Sequence, residues 1–268
     1  MIIVTITKNS SKTILDTIKS LERQTYKNIK WLIIDEKSTD NTLKLIKSSK
    51  LNKEIIYTKK KGIFVCYNEI LKILKNRKIS DIIFFLHSDD VLYNKNTLMN
   101  VYNLFQKYKI SALCGDVVFF KNNKENIFRK WISNYPKKQI KISKNLYKFK
   151  NFNFNDFLFG WSFPHTSFFF HSKIIKKIPY YDHKFKTSSD YGWTIKILLQ
   201  NNFDIYYINK FLIRMRSGGT STNIRNLFVQ FKNDFTIIKK IFYKSFLDYL
   251  YCLIILFFKK FWKLKQFF

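Results

Sequence analysis

The sequence predicts an α/β fold, with a mostly parallel central sheet flanked by helices and a helical C-terminal tail. Three observations predict it. The runs Ile2 to Ile6, Trp31 to Ile34 and Ile82 to Leu86 are short and almost unbroken in their apolar character, as expected of strands buried on both faces. Segments of helical periodicity lie between them. Strand and helix alternate four times over the first 90 residues, the pattern of a parallel, helix-flanked sheet.

The elements follow in order. After the first strand, Thr7-Lys8-Asn9-Ser10-Ser11 forms a loop, with Ser10 or Ser11 as helix N-cap, and Ile14, Leu15, Ile18 and Leu21 share a helical face. The second strand ends in Asp35, and Ser38-Thr39-Asp40-Asn41-Thr42 caps a helix through Leu43 and Ile46. Glu54 to Tyr57 is a third strand, and Lys59-Lys60-Lys61-Gly62 a basic loop. Tyr67, Ile70, Leu71 and Leu74 then fall at i, i+3, i+4 and i+7 of a helix. The fourth strand runs into His87-Ser88-Asp89-Asp90. Two carboxylates there lie where open α/β sheets bind ligands, and they suit a hard divalent cation. A helix through Val101, Leu104, Phe105 and Tyr108 and a strand from Ala112 to Phe120 follow.

Residues 121–160 break this rhythm, being rich in Lys, Asn and aromatics without a readable period. Phe163 to Phe170 reads as a loop entering a strand. Ser188-Ser189-Asp190-Tyr191 opens a helix through Trp193, Ile195 and Leu198, whose N-terminal dipole favours an ionised Asp190. Tyr206 to Ile208 and Phe211 to Ile213 read as two short strands, and Ser217 to Ser221 as a flexible loop. The division expected is 1–225 for the sheet domain and 226–268 for a helical, basic and aromatic segment. In that segment Phe257, Phe258, Phe261 and Trp262 share one helical face, while Lys259, Lys260, Lys263 and Lys265 lie off it. A helix of this kind rests in a membrane interface, or packs on the domain or a second subunit.

The 268 residues include 49 Lys+Arg against 18 Asp+Glu, a formal net charge of +31. Such an excess favours an anionic partner. The basic residues are dispersed rather than gathered in an arm, so an anionic membrane surface is expected and nucleic acid is not. Three scattered cysteines, Cys66, Cys114 and Cys252, make neither a disulfide framework nor a zinc site. Met1 leads directly into the first strand without the basic start of a signal peptide, and no apolar run reaches the ~20 residues that span a bilayer. A cytoplasmic protein, peripheral on the cytoplasmic face of the inner membrane, is the expectation. G-x-G-x-x-G, G-x-x-x-x-G-K-[ST], H-E-x-x-H and G-x-S-x-G are all absent. With six glycines in the chain, a metal ion and basic side chains are better suited to hold phosphates than a Gly-rich loop is.

Four segments, in order and spacing over residues 1–220, resemble the family 2 glycosyltransferases of GT-A fold, among them enzymes of bacterial cell-surface polysaccharide and lipopolysaccharide synthesis. The first is Val4-Thr5-Ile6-Thr7-Lys8-Asn9 with Thr13-Ile14 and Ser20 to Tyr26. The second is Ile34-Asp35-Glu36-Lys37-Ser38-Thr39-Asp40-Asn41-Thr42, where the family has an Asp, a short loop and S-T-D-x-T. The third, Phe85-Leu86-His87-Ser88-Asp89-Asp90, matches a D-x-D-like metal motif. The fourth, Ser189-Asp190-Tyr191, matches the acidic residue serving as base in inverting members.

The resemblance implies a nucleotide-sugar donor, a UDP-sugar by expectation, and Mg²⁺ or Mn²⁺ as cofactor. It implies Thr7, Asn9, Asp35, Lys61 and Asp89 on the nucleotide-sugar, Asp90 with Asp89 on the metal, and Asp190 as base. His165, in a Pro164-His165 element, is implied on the acceptor side or is a core histidine. The acceptor implied is a lipid-linked or surface glycan. Arg214 and Arg216 close over the diphosphate or end a solvated strand. Two departures stand out: Val65 replaces an Asp that relatives carry in I-Y-D-A-M-N, and a Lys replaces an acid before Gly62. Q-x-x-R-W is absent, so single transfers rather than polymerisation are implied. Competing readings are a sugar-nucleotide nucleotidyltransferase, which would want glycines after the first strand, and a degenerate binder of nucleotide-sugar or nucleic acid. His87 and Ser88 receive no chemical task.

Overall fold

The structure, a computed structural model, describes residues 1–77, 81–121, 126–157, 161–185, 187–218, 227–242 and 250–258. Its elements in chain order are β1 (Ile2–Thr7), α1 (Ile14–Glu22), β2 (Lys30–Asp35), α2 (Thr42–Ser48), β3 (Asn52–Tyr57), α3 (Ile63–Asn76), β4 (Ile82–Phe85), β5 (Val91–Leu92), α4 (Thr97–Lys107), β6 (Ala112–Phe120), β7 (Ile127–Trp131), β8 (Gln139–Ser143), β9 (Leu146–Phe149), β10 (Phe169–His171), α5 (Ser189–Leu199), β11 (Ile205–Arg216) and α6 (Leu227–Phe242). A further helical stretch covers 250–258.

One sheet runs in the order β3-β2-β1-β4-β10-β6-β11-β9-β8, with β5 on β11 and β7 on β6. β3, β2, β1 and β4 are mutually parallel, as expected of strands joined by crossover helices. β6 and β11 are parallel to one another, and β10 lies antiparallel between β4 and β6. Residues alternate across the sheet and so feed two cores. Ile2, Val4, Ile6, Leu32, Ile34 and Phe85 pack beneath α3, α5 and α6, whereas Ile3, Trp31, Ile33 and Phe84 pack beneath α1, α2 and α4. The result is a sheet covered on both faces, as the apolar runs require.

The chain moves outward from β1 to β2 and β3, then returns through α3 to β4 on the other side of β1. That reversal opens a crevice at the carboxyl ends of β1 and β4, the position where such sheets bind ligands.

Several local readings need correction. α1 begins at Ile14 with Thr13 as N-cap, and neither Ser10 nor Ser11 caps it. The carbonyl of Ser10 instead accepts hydrogen bonds from the Thr13 and Ile14 N–H groups. At α2 the reading of Ser38 to Thr42 as the capping stretch holds: Asn41 is the N-cap residue, and Asp40 Oδ1 accepts from the Thr42 N–H (3.0 Å). The two short strands read at 206–208 and 211–213 are one strand, β11, whose pairing with β6 shifts register between Ile208 and Phe211 and again between Phe211 and Ile213. The exposed Asn209 and Lys210 at these bulges interrupt the apolar pattern without ending the strand. Residues 121–160, unreadable by period, supply β7 and the β8–β9 hairpin.

Asp116 on β6 is 2% exposed and accepts hydrogen bonds from the Ser133 N–H (2.8 Å) and the Tyr207 hydroxyl (3.1 Å). Burial nevertheless pushes its carboxyl up to about 7. In the folded protein the proton stays on to that pH, whereas the unfolded chain releases it near 3.8. Stability is therefore expected to fall as pH rises from about 4 to about 7 and to level above that. At about 1.4 kcal/mol per pH unit, the window carries up to about 4 kcal/mol. Asp116→Asn keeps an acceptor for Ser133 and removes the charge. It should be the more stable protein at pH 8 and show no such slope. Urea midpoints at pH 5 and pH 8 check this, and an unchanged slope in the variant would refute it.

Toward the C-terminus, α6 packs on α5, with Ile237, Ile238 and Phe242 in the core that also holds Tyr67 and Phe85. In 250–258, Cys252, Ile255 and Leu256 join that core, while Leu250, Tyr251, Leu253, Ile254 and Phe257 are exposed. The basic stretch 259–268, including Phe261, Trp262 and their lysines, lies outside the described residues, as do Gly219, Thr220 and Ser221 of the 217–221 loop. No helix among the described residues is long and apolar enough to cross a membrane.

Candidate active site

The loop after β4 carries the site, and its backbone is held at nearly every step. The Leu86 N–H donates to Val4 O (2.9 Å) and continues the sheet. The Asp90 N–H closes a turn on His87 O (3.3 Å). From α1, Thr17 Oγ1 donates to Asp90 O (2.8 Å) and Thr13 Oγ1 to Ser88 O (3.1 Å). The hydroxyls of Ser10 and Ser88 meet at 3.0 Å, which gives Ser88 a fastening task. With its main chain tied down, the turn can present His87, Asp89 and Asp90 as side chains.

Asp90 is 1% exposed. Its Oδ1 accepts from the backbone N–H of Arg216 (3.0 Å), at the end of β11. Its Oδ2 makes no hydrogen bond and lies 3.4 Å from His87 Nδ1. One donor atom from each of His87, Asp89 and Asp90 falls within 4.8 Å of the others. A buried carboxylate oxygen without a hydrogen-bond donor is costly unless something positive answers it. These three residues therefore fit a divalent cation. Burial and the charge of Asp90 push the Asp89 carboxyl up to about 6, against the opposing pull of His87 and Arg216. For His87, burial is the largest influence and works downward, but Asp90, Asp89 and Asp190 together outweigh it and leave the imidazole above its ordinary value.

Asp35 ends β2, directly across from Thr7 at the end of β1. Both are fully or almost fully buried. The two Asp35 oxygens accept from the Ser38 N–H (3.0 and 2.8 Å), which folds the β2–α2 loop back on the strand. Asn9 sits in the left-handed region at φ 48 and locks this loop to the β1–α1 loop. Its Oδ1 accepts from the Thr39 N–H (2.8 Å), and its N–H donates to Ser38 Oγ (3.0 Å). Asp40 repeats the clamp, accepting from Ser11 N–H and from Thr42, and these hydrogen bonds hold its carboxyl well below the ordinary carboxylate range. Lys61 is exposed on the loop before α3. That loop is anchored next door, where Gly62, at φ +104, donates its N–H to Glu36 Oε2 (3.2 Å).

Asp190 lies in the first turn of α5, after Ser188 in a left-handed conformation at φ 71. Its negative charge raises the pKa of Tyr67, His87 and Tyr181, the same Tyr67 and His87 that the β4 acids act on. Aromatic packing sets that geometry. Trp193, one turn along α5, stacks on Tyr181 (centroids 4.9 Å) and meets His165 edge-on (5.2 Å). His165 in turn stacks against Phe85 (5.9 Å) and lies 6.4 Å from the His87 ring. His165 is buried, and its Nε2 contacts the Tyr181 hydroxyl at 2.5 Å. Burial and the neighbouring His87 push its imidazole down to about 3, so it is neutral.

Arg216 faces Asp16, with Nη2 to Oδ2 at 2.6 Å, and Arg214 donates from Nε to Tyr93 O (3.2 Å). The sequence reading left both open. Here their side chains bind protein groups, and Arg216 serves the site through its backbone N–H.

The structure also adds Tyr67, which sequence reasoning placed only on the apolar face of α3. Its hydroxyl is buried without a hydrogen-bond partner, and burial with the charges of Asp90, Asp190 and Asp89 keeps its pKa well above the ordinary phenol value. A tyrosine among Ile70, Leu71 and Leu74 was the available signal, since a buried phenol ordinarily finds a partner.

A sheet edge with acids at the ends of β2 and β4, together with an acid in the first turn of a helix, can be compared with known proteins. The sequence profile described as glycosyl transferase family 2 matches residues 2–178. The chain belongs to that family. Its fold is GT-A, and its family is one of glycosyl-transferring enzymes. Among solved structures it is similar to residues 1–349 of TarS from S. aureus in complex with UDP-GlcNAc. There the TM-score is 0.65 at 18% identity, covering 95% of this chain and 70% of that one. Against the longer S. aureus TarS chain the TM-score is 0.62 and 41% of that chain is covered. It is also similar to the mannosyltransferase PcManGT from Pyrobaculum calidifontis in complex with GDP-Man and Mn²⁺, with TM-score 0.58 at 13% identity, covering 95% of this chain and 69% of that one. No curated protein sequence matches it.

Proposed function

We propose that this glycosyltransferase moves a sugar from a nucleotide-sugar, most simply a UDP-sugar, to an acceptor hydroxyl with inversion at the anomeric carbon. The observation that carries the reading is that Asp35 and the Asp89–Asp90 pair stand at or just beyond the carboxyl ends of parallel strands β2 and β4, on either side of β1, with His87, Asp89 and Asp90 gathered within 4.8 Å. Structural neighbours held with UDP-GlcNAc and with GDP-Man and Mn²⁺ support the donor class.

In this reading Asp35, Thr7 and the loop locked by Asn9 receive the nucleoside. Lys61 supplies positive charge from the neighbouring loop. Asp89 and Asp90 would hold Mg²⁺ or Mn²⁺. When bound, the ion supplies Lewis-acid stabilisation of charge on the departing diphosphate. Asp190 accepts the proton of the acceptor hydroxyl as its oxygen attacks the sugar from the face opposite the diphosphate. The aromatic wall of Tyr67, His165, Tyr181 and Trp193 excludes water behind Asp190. The departure at Val65 falls in the first turn of α3, next to the basic loop, and leaves these acids in place.

For the acceptor, a lipid-linked or surface glycan at an anionic membrane face is the natural class. The exposed Leu250, Tyr251, Leu253, Ile254 and Phe257 and the net charge of +31 support it.

The test is direct. Purified protein is incubated with a panel of UDP- and GDP-sugars and Mn²⁺, and released nucleoside diphosphate is measured with and without EDTA. Slow hydrolysis of one donor that EDTA abolishes is expected. Failure to bind any nucleotide-sugar would overturn the reading.

A further inference from the structure

We propose that His87 is itself a ligand of the divalent cation, and that its imidazole makes the site prefer Mn²⁺ and Co²⁺ over Mg²⁺. The inference rests on the divalent-ion reading above and adds to it a donor that the acidic pair does not provide. Geometry carries it. Asp90 is buried, and its Oδ1 is spent on the Arg216 N–H, so Oδ2 is the oxygen left for another partner. That oxygen has no hydrogen-bond donor, and His87 Nδ1 lies 3.4 Å from it. The separation is long for an N–H···O hydrogen bond, which clusters near 2.9 Å. It suits two neighbouring ligands of one ion with bonds of about 2.1 Å, whose donor atoms sit about 3 Å apart. The Asp89 carboxylate completes a three-atom set spanning no more than 4.8 Å.

The imidazole is also held in place. Its ring stacks at 6.4 Å from both Tyr67 and His165, at interplanar angles of 28° and 29°. That packing fixes the ring plane while Nδ1 points at the carboxylate. His165, whose Nε2 is engaged by Tyr181, is not part of this three-atom set.

The chemistry of the donor set gives the preference. Mg²⁺ takes oxygen ligands and keeps several waters, whereas imidazole nitrogen suits later first-row ions. Replacing one oxygen by nitrogen should favour Co²⁺ over Mn²⁺ and both over Mg²⁺.

The experiment uses the full chain and metal alone. Mn²⁺ is added to apoprotein, and pulsed EPR records whether a ¹⁴N nucleus is coupled to the bound ion. Isothermal titration gives affinities for Co²⁺, Mn²⁺ and Mg²⁺. Imidazole ¹⁴N modulation is expected in the wild type and not in His87→Asp. His87→Asp, which restores an all-oxygen set, should lower the ratio of Co²⁺ to Mg²⁺ affinity by about tenfold or more. Circular dichroism confirms that the variant folds, and the wild-type spectrum decides the ligand by itself. Bound Mn²⁺ with an oxygen-only spectrum would overturn the role of His87 while leaving the glycosyltransferase reading intact. No Mn²⁺ binding, with or without nucleotide-sugar, would overturn both the ion site and this inference.

Discussion

Asp190→Asn is expected to reduce glycosyl transfer by about 10³-fold while donor affinity changes less than about twofold. Removal of a positioned general base generally lowers rate by about 10²- to 10⁴-fold. The side chain stands in the first turn of α5, outside the His87, Asp89 and Asp90 group that fits the ion, so under the proposed function it serves the acceptor rather than the diphosphate. Asparagine keeps its size, and the Asp190 main-chain carbonyl still accepts from Thr194 Oγ1 (2.9 Å). Trp193 keeps its stacking on Tyr181, so α5 should not move. Donor binding by titration calorimetry and transfer to the acceptor, assayed in parallel, separate the two steps. Transfer retained within tenfold would reject Asp190 as base. Loss of donor binding would instead make it part of the donor pocket.

Legibility followed locality. β1, β2, β4 and β6 were readable because strands buried on both faces are continuous apolar runs, and β6 matches the predicted Ala112 to Phe120 at both ends. The carboxylates were readable because they terminate such runs. Asp190 needed the resemblance as well, since a helix-start acid alone has no partner in the sequence. β7, β8 and β9 were not readable, since their residues alternate weakly and their order comes from pairing with distant β6 and β11. β10 is three residues long and is fixed by two neighbours, β4 and β6, neither adjacent in sequence. His87 had no visible task for the same reason. Its meaning depends on Oδ2 of Asp90 being left over, and that follows from Arg216, more than 120 residues away, taking Oδ1.

Asp90→Asn should lower metal-dependent transfer by about 10³-fold and raise the Mn²⁺ concentration needed for half-maximal activity beyond practical range. The substitution is chosen for what it preserves. An asparagine oxygen in the Oδ1 position still accepts from the Arg216 N–H, so the junction between the β4 loop and β11 survives. Only Oδ2 changes, from an anionic donor atom into an amide NH₂ that repels a cation. Lewis-acid stabilisation of a leaving diphosphate contributes several kcal/mol, and each 1.4 kcal/mol is a factor of ten in rate. Folding should be unharmed, because a buried charge without a hydrogen bond on Oδ2 is removed. Thermal melts in EDTA should therefore show Asp90→Asn at least as stable as the wild type, and the wild type alone should gain stability on adding Mn²⁺, by linkage to binding. Equal Mn²⁺ stabilisation of both proteins would mean the ion binds without Asp90. Equal transfer rates would mean the reaction does not depend on it.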